Sequence, residues 1–409
     1  MPPERPTILQ IIPSLDTGGA ELSTVEIADA IVRAGGRALV ATTGGRLAGQ
    51  ITAAGGEIVP FPAATKNPLH MFANVGALVD IIEREKVDLV HARSRAPAWS
   101  ALRAAHLTGR PFITTYHGAY SENGPLKRTY NSVMAKGDVV IANSGFTAGL
   151  IKSRYGTPDA RIRIIHRGVD PEAFDPAAID PARLEAMRAI LALTPSTPVI
   201  VQAARLTRWK GQTVLIEALG RISESAPPWV AVLAGDDQGR TGYTSELEAG
   251  IARAGLENRV RLAGHVTDMP ALFALATVTV IASIEPEAFG RTAIEAQMMG
   301  SPVIATNIGA PPETVLATPP CSPDHQTGWL IAPGDPTALA GALSEALSLE
   351  DDARRAFAQR TRTHAAAHFS LEAMKRATLE VYDQRLGTSL ARTFEATIVE
   401  AKMSHPIKH

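Results

Sequence analysis

The sequence predicts two doubly wound α/β domains, each built on an open parallel sheet, and three observations carry that expectation. Short apolar, β-branched runs alternate with longer segments of helical period along most of the chain, the pattern of repeated βαβ units. The alternation is interrupted once, from 168 to 198, by the Asp- and Pro-rich stretch GVDPEAFDPAAIDPARLEAMRAILALTPSTP, and then restarts. The length of 409 residues is enough for two or three domains of ~100 to 200 residues, each with its own core.

Taken in order, strands are predicted at 7–12, 38–43, 87–91, 112–117, 139–143 and 162–166, and after the break at 199–203, 230–235, 260–263, 277–282 and 303–306. Helical periodicity covers 21–32, 68–85, 212–223 and 337–347, and two further helical stretches, 351–368 and 371–385, follow one another with no strand between them. The segment 168–198 reads as a linker with one short helix and no strand. Residues 387–409 are polar without a clear period and are expected to be loosely ordered. The expected domains are therefore 1–178 and 179–370, followed by a helical segment 371–386 and a tail 387–409.

Composition removes several function classes. Lys plus Arg number 40 and Asp plus Glu 41, a net charge of −1, which gives no electrostatic basis for coating nucleic acid. A single cysteine, Cys321, excludes a disulfide framework and a cysteine-based zinc site. No stretch approaches the ~20 apolar residues of a membrane-spanning helix, and the N-terminus lacks the pattern of a secretory signal, so a cytoplasmic protein is expected.

In open parallel sheets ligands bind outside the carboxyl ends of the strands, so the informative residues are expected just after strands, in a cleft between the two halves. Asp16, Thr17, Gly18, Gly19, Ala20 and Glu21 follow the first strand and open a helix. Paired glycines there admit an anion to main-chain N–H groups, or simply make a tight turn; the spacing is not that of a GxGxxG fingerprint. His117 ends FITTYH and precedes Gly118, so its ring is expected to project into the cleft and donate to a substrate hydroxyl or a developing charge; a satisfied structural histidine is the alternative. Arg205, Arg208 and Lys210, in AARLTRWKG, lie between a strand and a helix, where guanidinium forks and an ammonium suit a diphosphate; for Arg208 a solvated loop position competes.

The strongest signal is EPEAFGRTAIEA, beginning at Glu285. A strand runs into a loop, and a helix is expected to begin near Arg291 and stop at Gly300. Glu287 falls on the loop and Glu295 in the second helical turn, while the N–H groups around Gly290 to Thr292 offer a place for phosphate. Eight residues span ~12 Å if helical and less through a loop, which suits one carboxylate on sugar hydroxyls and the other on ribose hydroxyls across a diphosphate. Two solvated glutamates on a surface helix are the plainer alternative.

In this order and at these distances, GGAE, TYHG, VVIANS, HRGVDPEAFDP, ARLTRWKG, VLAGD, EPEAFGRTAIEAQMMGSPVIAT, PPETV and TGWLIAPGD resemble the retaining, nucleotide-sugar-dependent glycosyltransferases of family 4. The resemblance covers almost the whole chain. It implies the GT-B architecture: an acceptor-binding Rossmann-like domain, 1–178, a nucleotide-sugar-binding one, 179–370, and a last helix, 371–386, that crosses back onto the first. Carried over onto this sequence, Arg205 and Lys210 match the cations on the donor diphosphate and Glu287 the carboxylate at the donor sugar. Glu295 matches the ribose-binding glutamate, His117 the histidine at the sugar's C6 side, and Gly18 and Gly19 the loop near phosphate or acceptor. The expected catalytic set is thus His117, Arg205, Lys210 and Glu287, and the donor-binding set Gly18, Gly19, Gly235, Phe289, Gly290, Arg291, Thr292 and Glu295. Arg167 stands where the family often has Asn, and Arg291 where a smaller residue often follows Phe-Gly.

Breaking a sugar-diphosphate bond builds positive charge on the anomeric carbon and negative charge on the leaving phosphate, so fixed cations and a helix N-terminus are the expected catalytic device. No pair of carboxylates flanking the bond, as a glycosidase needs, can be assigned. His91, His106, His117, His166 and His265 are scattered and no DxD stands at a strand end, so neither metal nor cofactor is expected beyond the nucleotide-sugar itself. The expected partners are that donor and a glycan or lipid-linked acceptor, in envelope polysaccharide or lipopolysaccharide synthesis. A basic group, Lys127, Arg128 and Lys136 with Lys152, Arg154, Arg161 and Arg163, suggests peripheral contact with anionic membrane or a merely solvated face. An epimerase or phosphorylase-like enzyme of the same fold, and a non-catalytic nucleotide-sugar-binding subunit, are the competing readings.

Overall fold

The computed structural model describes residues 5–16 and 18–404. Contacts divide the chain into two compact units, Met1–Arg167 with Glu372–His409, and Gly168–Leu371.

The first unit holds a seven-stranded parallel sheet of β1 (Thr7–Ile11), β2 (Arg37–Thr42), β3 (Glu57–Pro60), β4 (Leu89–Ala92), β5 (Phe112–Tyr116), β6 (Val139–Ala142) and β7 (Ile162–Ile164), in the order β3-β2-β1-β4-β5-β6-β7. The second holds β8 (Val199–Ala203), β9 (Val230–Ala234), β10 (Val260–Gly264), β11 (Val278–Ile281), β12 (Val303–Thr306) and β13 (Gly328–Ile331), in the order β10-β9-β8-β11-β12-β13. All pairs are parallel. Strands buried on both faces explain the continuous apolar runs: every residue of β1, β4, β5, β6, β11 and β12 is buried. In each sheet the strand order reverses at one place, beside β1 and β4 in the first unit and beside β8 and β11 in the second, and it is at such a reversal that a crevice opens for ligand.

Two strands escape the sequence pattern. β3 is a four-residue edge strand with both end residues exposed, and β13 opens on Gly328 at the far edge of its sheet. Neither offers a long apolar run.

The stretch 168–198 differs from the expected linker. Its aspartates cap local turns: Asp170 accepts from the Glu172 N–H at 2.9 Å, Asp175 from Ala177 at 3.1 Å and Asp180 from Ala182 at 2.8 Å. Helix Pro181–Leu191 follows, and Ile179, Met187, Leu191 and Leu193 are buried in one cluster with Val201, Val232 and Phe273. The segment is thus part of the second unit, which begins at Gly168 rather than after residue 178.

Helix Leu371–Leu386 contributes to the first unit through Lys375, 2.5 Å from Asp29, Tyr382, 2.7 Å from His91, and Arg385, which donates to the Asp138 carbonyl at 2.9 Å. The tail beyond it is not loose: Leu390–Ser404 is a helix. Leu390, Ala391, Phe394 and Ile398 form its buried stripe, and Arg33 lies over the Phe394 ring. Its first N–H groups are capped from outside the helix, Leu390 and Ala391 donating to the Asp383 carboxylate at 2.7 and 2.9 Å. Residues 405–409 of the expected tail lie outside the described residues.

Candidate functional site

In the second unit the site is assembled by the turns after β8 and β11. After β8 the chain passes through Arg205 into a 3₁₀ turn, Arg208–Lys210, and then helix Gln212–Ile222. Two buried glutamines fix this turn: Gln202 donates to the Lys210 carbonyl at 2.8 Å, and Gln212 to the Arg205 carbonyl at 3.0 Å. Lys210 Nζ then reaches Glu287 Oε1 at 2.6 Å, with the two side chains only 16% and 9% exposed. The Ser283 hydroxyl donates to the same oxygen.

Glu287 itself is held by its backbone, which bridges Gly309 and accepts from the Ala310 N–H at 2.9 Å. A side chain at position 309 would place its Cβ 2.4 Å from the Glu287 carbonyl oxygen, so only glycine admits this approach. Glu287 Oε2 makes no hydrogen bond among the described residues and faces Gly290, the residue before helix Arg291–Met298. Thr292 ties that helix to the end of β8, its hydroxyl donating to the Ala203 carbonyl at 3.3 Å. Lys210, Ser283, Glu287 and Thr292 share one recess with Ala203 and Ala204. A carboxylate oxygen and a helix N-terminus thus stand side by side, one suited to hydroxyl donors and the other to an anion.

The other expected residues of this unit take different positions. Arg205 is exposed and without an ion pair or side-chain hydrogen bond among the described residues. Arg208 turns away, over the Tyr243 ring and into an ion pair with Glu246. Arg291 and Glu295 form an i,i+4 ion pair at 2.8 Å, both largely buried. Phe289 is 4% exposed and packs edge-on against Phe369, so this residue can meet a ligand only through its main chain. Gly235 lies against the Ala204 carbonyl, where a Cβ would come within 1.9 Å.

In the first unit Gly18 and Gly19 start helix Gly19–Arg33, with the Glu21 carboxylate folded back against Gly18; Thr17 lies outside the described residues. His117 follows β5, and its Nδ1 accepts from the Arg167 guanidinium. Because Arg can only donate, the imidazole is neutral with its proton on Nε2. Burial, followed by the charges of Arg167 and Arg93, holds its pKa well below the ordinary value. Nε2 is shielded and has no partner among the described residues. Sequence reading missed Ser283, Gln202 and Gln212 as supports, and Arg93 with Ser23 in the first unit. Ser283 was the findable one, since it is the second residue after β11.

The basic residues near helix Pro125–Ser132 divide by role. Arg154 donates to the Tyr120 carbonyl at 2.6 Å, Arg161 to the Gly137 carbonyl and Lys152 pairs with Asp159 at 2.5 Å. Lys127 and Arg128 are exposed beside Leu126, itself 88% exposed. Among the described residues no group of three or more His, Cys, Asp or Glu is placed to hold a metal ion, and no helix is long and apolar enough to cross a membrane.

Comparison with known proteins gives the geometry a family. Residues 17–173 match the family described as Glycosyltransferase Family 4, and residues 185–364 that described as Glycosyl transferases group 1. The chain is 30% identical to the lipopolysaccharide core biosynthesis mannosyltransferase LpsB of Rhizobium meliloti over 248 residues, 60% of this chain and 65% of the relative, just under two thirds of its length. A solved glycosyltransferase from Rickettsia africae is 34% identical with a TM-score of 0.85, over 94% of this chain and 100% of the other. Anabaena Alr3699/HepE, solved in complex with UDP-glucose, is 27% identical with a TM-score of 0.79, over 92% and 99% of the two chains. With both halves matched and a solved glycosyltransferase covered over its full length, the chain belongs to the family 4 glycosyltransferases of GT-B fold.

Proposed function

We propose that this protein moves a sugar, with retention of configuration, from a nucleotide-diphosphate donor to a hydroxyl of a glycan or glycolipid acceptor. The observation that carries the reading is the Lys210–Glu287 pair, drawn together at the strand-order reversal of the second sheet beside the N-terminus of helix Arg291–Met298. On this reading Glu287 Oε2 accepts from hydroxyls of the donor sugar. Arg205 and Lys210, with the N–H groups of Gly290 to Thr292, stabilise the negative charge that grows on the leaving diphosphate. Glu295 holds the ribose, with Arg291 setting its orientation, and Gly235 lets the nucleotide pass close to the β9 end. His117 donates from Nε2 to the sugar, and the loop at Gly18 and Gly19 lies beside the transferred group. The fixed cations replace a metal ion, so neither metal nor cofactor takes part.

The name of the Rhizobium relative supports lipopolysaccharide or related envelope glycan synthesis, and the UDP-glucose complex of the Anabaena protein supports a nucleotide-sugar donor. Transfer then takes place in the cytoplasm, against the inner face of the membrane. Exposed Leu126, Lys127 and Arg128 on one helix, with Leu69 and Phe72 on another, 79% and 81% exposed, support peripheral contact with anionic lipid at ~1 kcal/mol per basic residue. Flotation with anionic vesicles checks this contact; no binding at low salt removes it. The transfer reading is tested by a thermal-shift screen of nucleotide-sugars followed by donor hydrolysis. A donor at 100 times its dissociation constant adds ~2.7 kcal/mol of stability. Stabilisation by one donor with slow release of free nucleotide is expected; binding without hydrolysis or transfer leaves a non-catalytic subunit instead.

A further inference from the structure

The turn that carries the cations of the second unit also carries a tryptophan. Trp209 lies between Arg208 and Lys210, and the Lys210 ammonium stands over its indole ring, 4.2 Å from the centroid. That is well inside the ~6 Å at which a ring face attracts a cation, and tryptophan is the strongest aromatic side chain in this role. The other three tryptophans are placed differently. Trp229 and Trp329 belong to the apolar core of the second unit, and Trp99 packs against that of the first, its indole N–H bonded to the Tyr130 carbonyl at 3.1 Å. Cations lie over Trp99 and Trp229 too, at 4.7 and 5.2 Å, but they are Lys136 and Arg259, remote in sequence from the site loops. Trp209 is half-buried, and what its ring meets is the one lysine that reaches Glu287.

Main chain fixes the ring on both sides of that lysine. The Trp209 carbonyl accepts from the Ile284 N–H at 2.8 Å, one residue past the Ser283 that donates to Glu287. Gly211, at φ 68°, presses so close to the end of β11 that a Cβ there would come within 1.9 Å of the Ala282 carbonyl oxygen. Trp209 and Gly211 thus clamp Lys210 against the segment 282–284, which leads into Glu287.

A lysine ammonium is a point charge on a flexible stem, and the stem alone does not hold it in one place. Glu287 holds it at 2.6 Å, but a carboxylate also cancels much of its field. An indole face attracts the ammonium and carries no net charge, so it restrains the cation and leaves its positive potential intact. Glu287 Oε1 is the oxygen that accepts from Lys210 among the described residues, so the three-donor ammonium keeps N–H groups for an anion.

We propose that Trp209 is a positioning residue of the transfer: its ring face, together with Glu287, holds the Lys210 ammonium ready for the leaving diphosphate. The proposal rests on the transferase reading, in which Lys210 meets that diphosphate, and it adds a residue that acts only through Lys210.

The test titrates the full chain calorimetrically with inorganic pyrophosphate at fixed ionic strength, in a double-mutant cycle. Lys210→Met weakens binding most, and Trp209→Leu weakens it about fivefold. In the Lys210→Met protein the second substitution changes affinity by less than about twofold, because the ring has no cation left to hold. Trp209→Phe, which keeps a ring with a weaker face, falls between wild type and Trp209→Leu, and it carries the cycle where Trp209→Leu does not fold. With the donor found by the nucleotide-sugar screen, the Trp209 loss appears in kcat more than in KM, since the leaving charge is largest in the transition state. Wild-type pyrophosphate affinity in the Trp209 variants overturns the proposal. So does an equal loss with and without Lys210, which makes the ring a direct ligand contact or a structural support. Pyrophosphate that binds neither wild type nor variant, or binds Lys210→Met as tightly as wild type, refutes the diphosphate reading of Lys210 itself and takes this proposal with it.

Discussion

Replacing Lys210 by Met is expected to harm the protein in two separable ways. At 2.6 Å a unit charge pair at an effective dielectric of 20 is worth about 6 kcal/mol before desolvation is counted. Removing one partner of a buried pair costs ~3–5 kcal/mol, because the survivor is left uncompensated. Ser283 remains on Glu287 Oε1, which puts the expected loss at the lower end, about 3 kcal/mol. Glu287→Gln in the same chain removes the orphaned charge, so the double variant is more stable than Lys210→Met alone by about 1–2 kcal/mol. Activity behaves differently. Loss of one preorganised donor of positive potential at the leaving group lowers turnover by ~10²–10³, and the second substitution does not restore it. Urea unfolding gives the first quantity; transfer, or donor hydrolysis, gives the second. Strict additivity of the two stability losses, or a Lys210→Met enzyme within tenfold of wild type, refutes the reasoning.

Three further outcomes are expected. Arg208→Ala changes turnover by less than about threefold, since its guanidinium is committed to Glu246 at the surface and exposed pairs are worth ~0–1 kcal/mol; a loss comparable to that of Lys210→Met contradicts this. Burial, then the charges of Arg93 and Arg167, keep the His91 pKa well below its ordinary value. The unfolded chain therefore binds a proton below pH ~6.5 that the folded one refuses: stability is whole above that pH and falls below it, by up to ~1.4 kcal/mol per unit. Urea midpoints from pH 7 to 5 report this, and an unchanged pH slope in His91→Gln counts against it. Asp383→Ala removes the external cap of helix Leu390–Ser404 at a cost of ~1 kcal/mol, and hydrogen exchange is expected to rise in that helix while the first sheet stays protected.

Much of the fold was legible because parallel strands buried on both faces leave a strong mark: β1, β5, β8 and β12 stand where their apolar runs predict. What escaped was decided by partners distant in sequence. Helix Leu390–Ser404 has a stripe of only a few apolar residues, and its cap is supplied by the preceding helix, so neither a local capping residue nor a long period announces it. The Asp-Pro repeats of 168–198 look like linker composition because the same residues that break regular structure also cap short helices, and the buried contacts of Ile179 and Met187 appear only in three dimensions.

The two sheets show where site reading succeeds and fails. In the second unit the site residues are concentrated in two loops, so the motif 285–296 and the turn 205–210 announce themselves. The sequence already sets Arg208 apart as the position where a solvated loop competes, without a physical reason for its direction. The geometry of a 3₁₀ helix, three residues per turn, supplies one: positions two apart point about 240° from each other, which sends Lys210 to Glu287 and Arg208 to Glu246 on the other side. In the first unit Ser23, Arg93, His117 and Arg167 lie in four separate segments; TYHG and HRGVDPEAFDP mark the last two, while Ser23 and Arg93 stand in no motif. Strand order brings Arg93 and His117 near the helix after β1, because β4 is inserted beside β1 and β5 beside β4, while Arg167 reaches the His117 ring from the segment after β7. A charge that looks like an ordinary loop arginine in the sequence becomes a buried cation once that order is known.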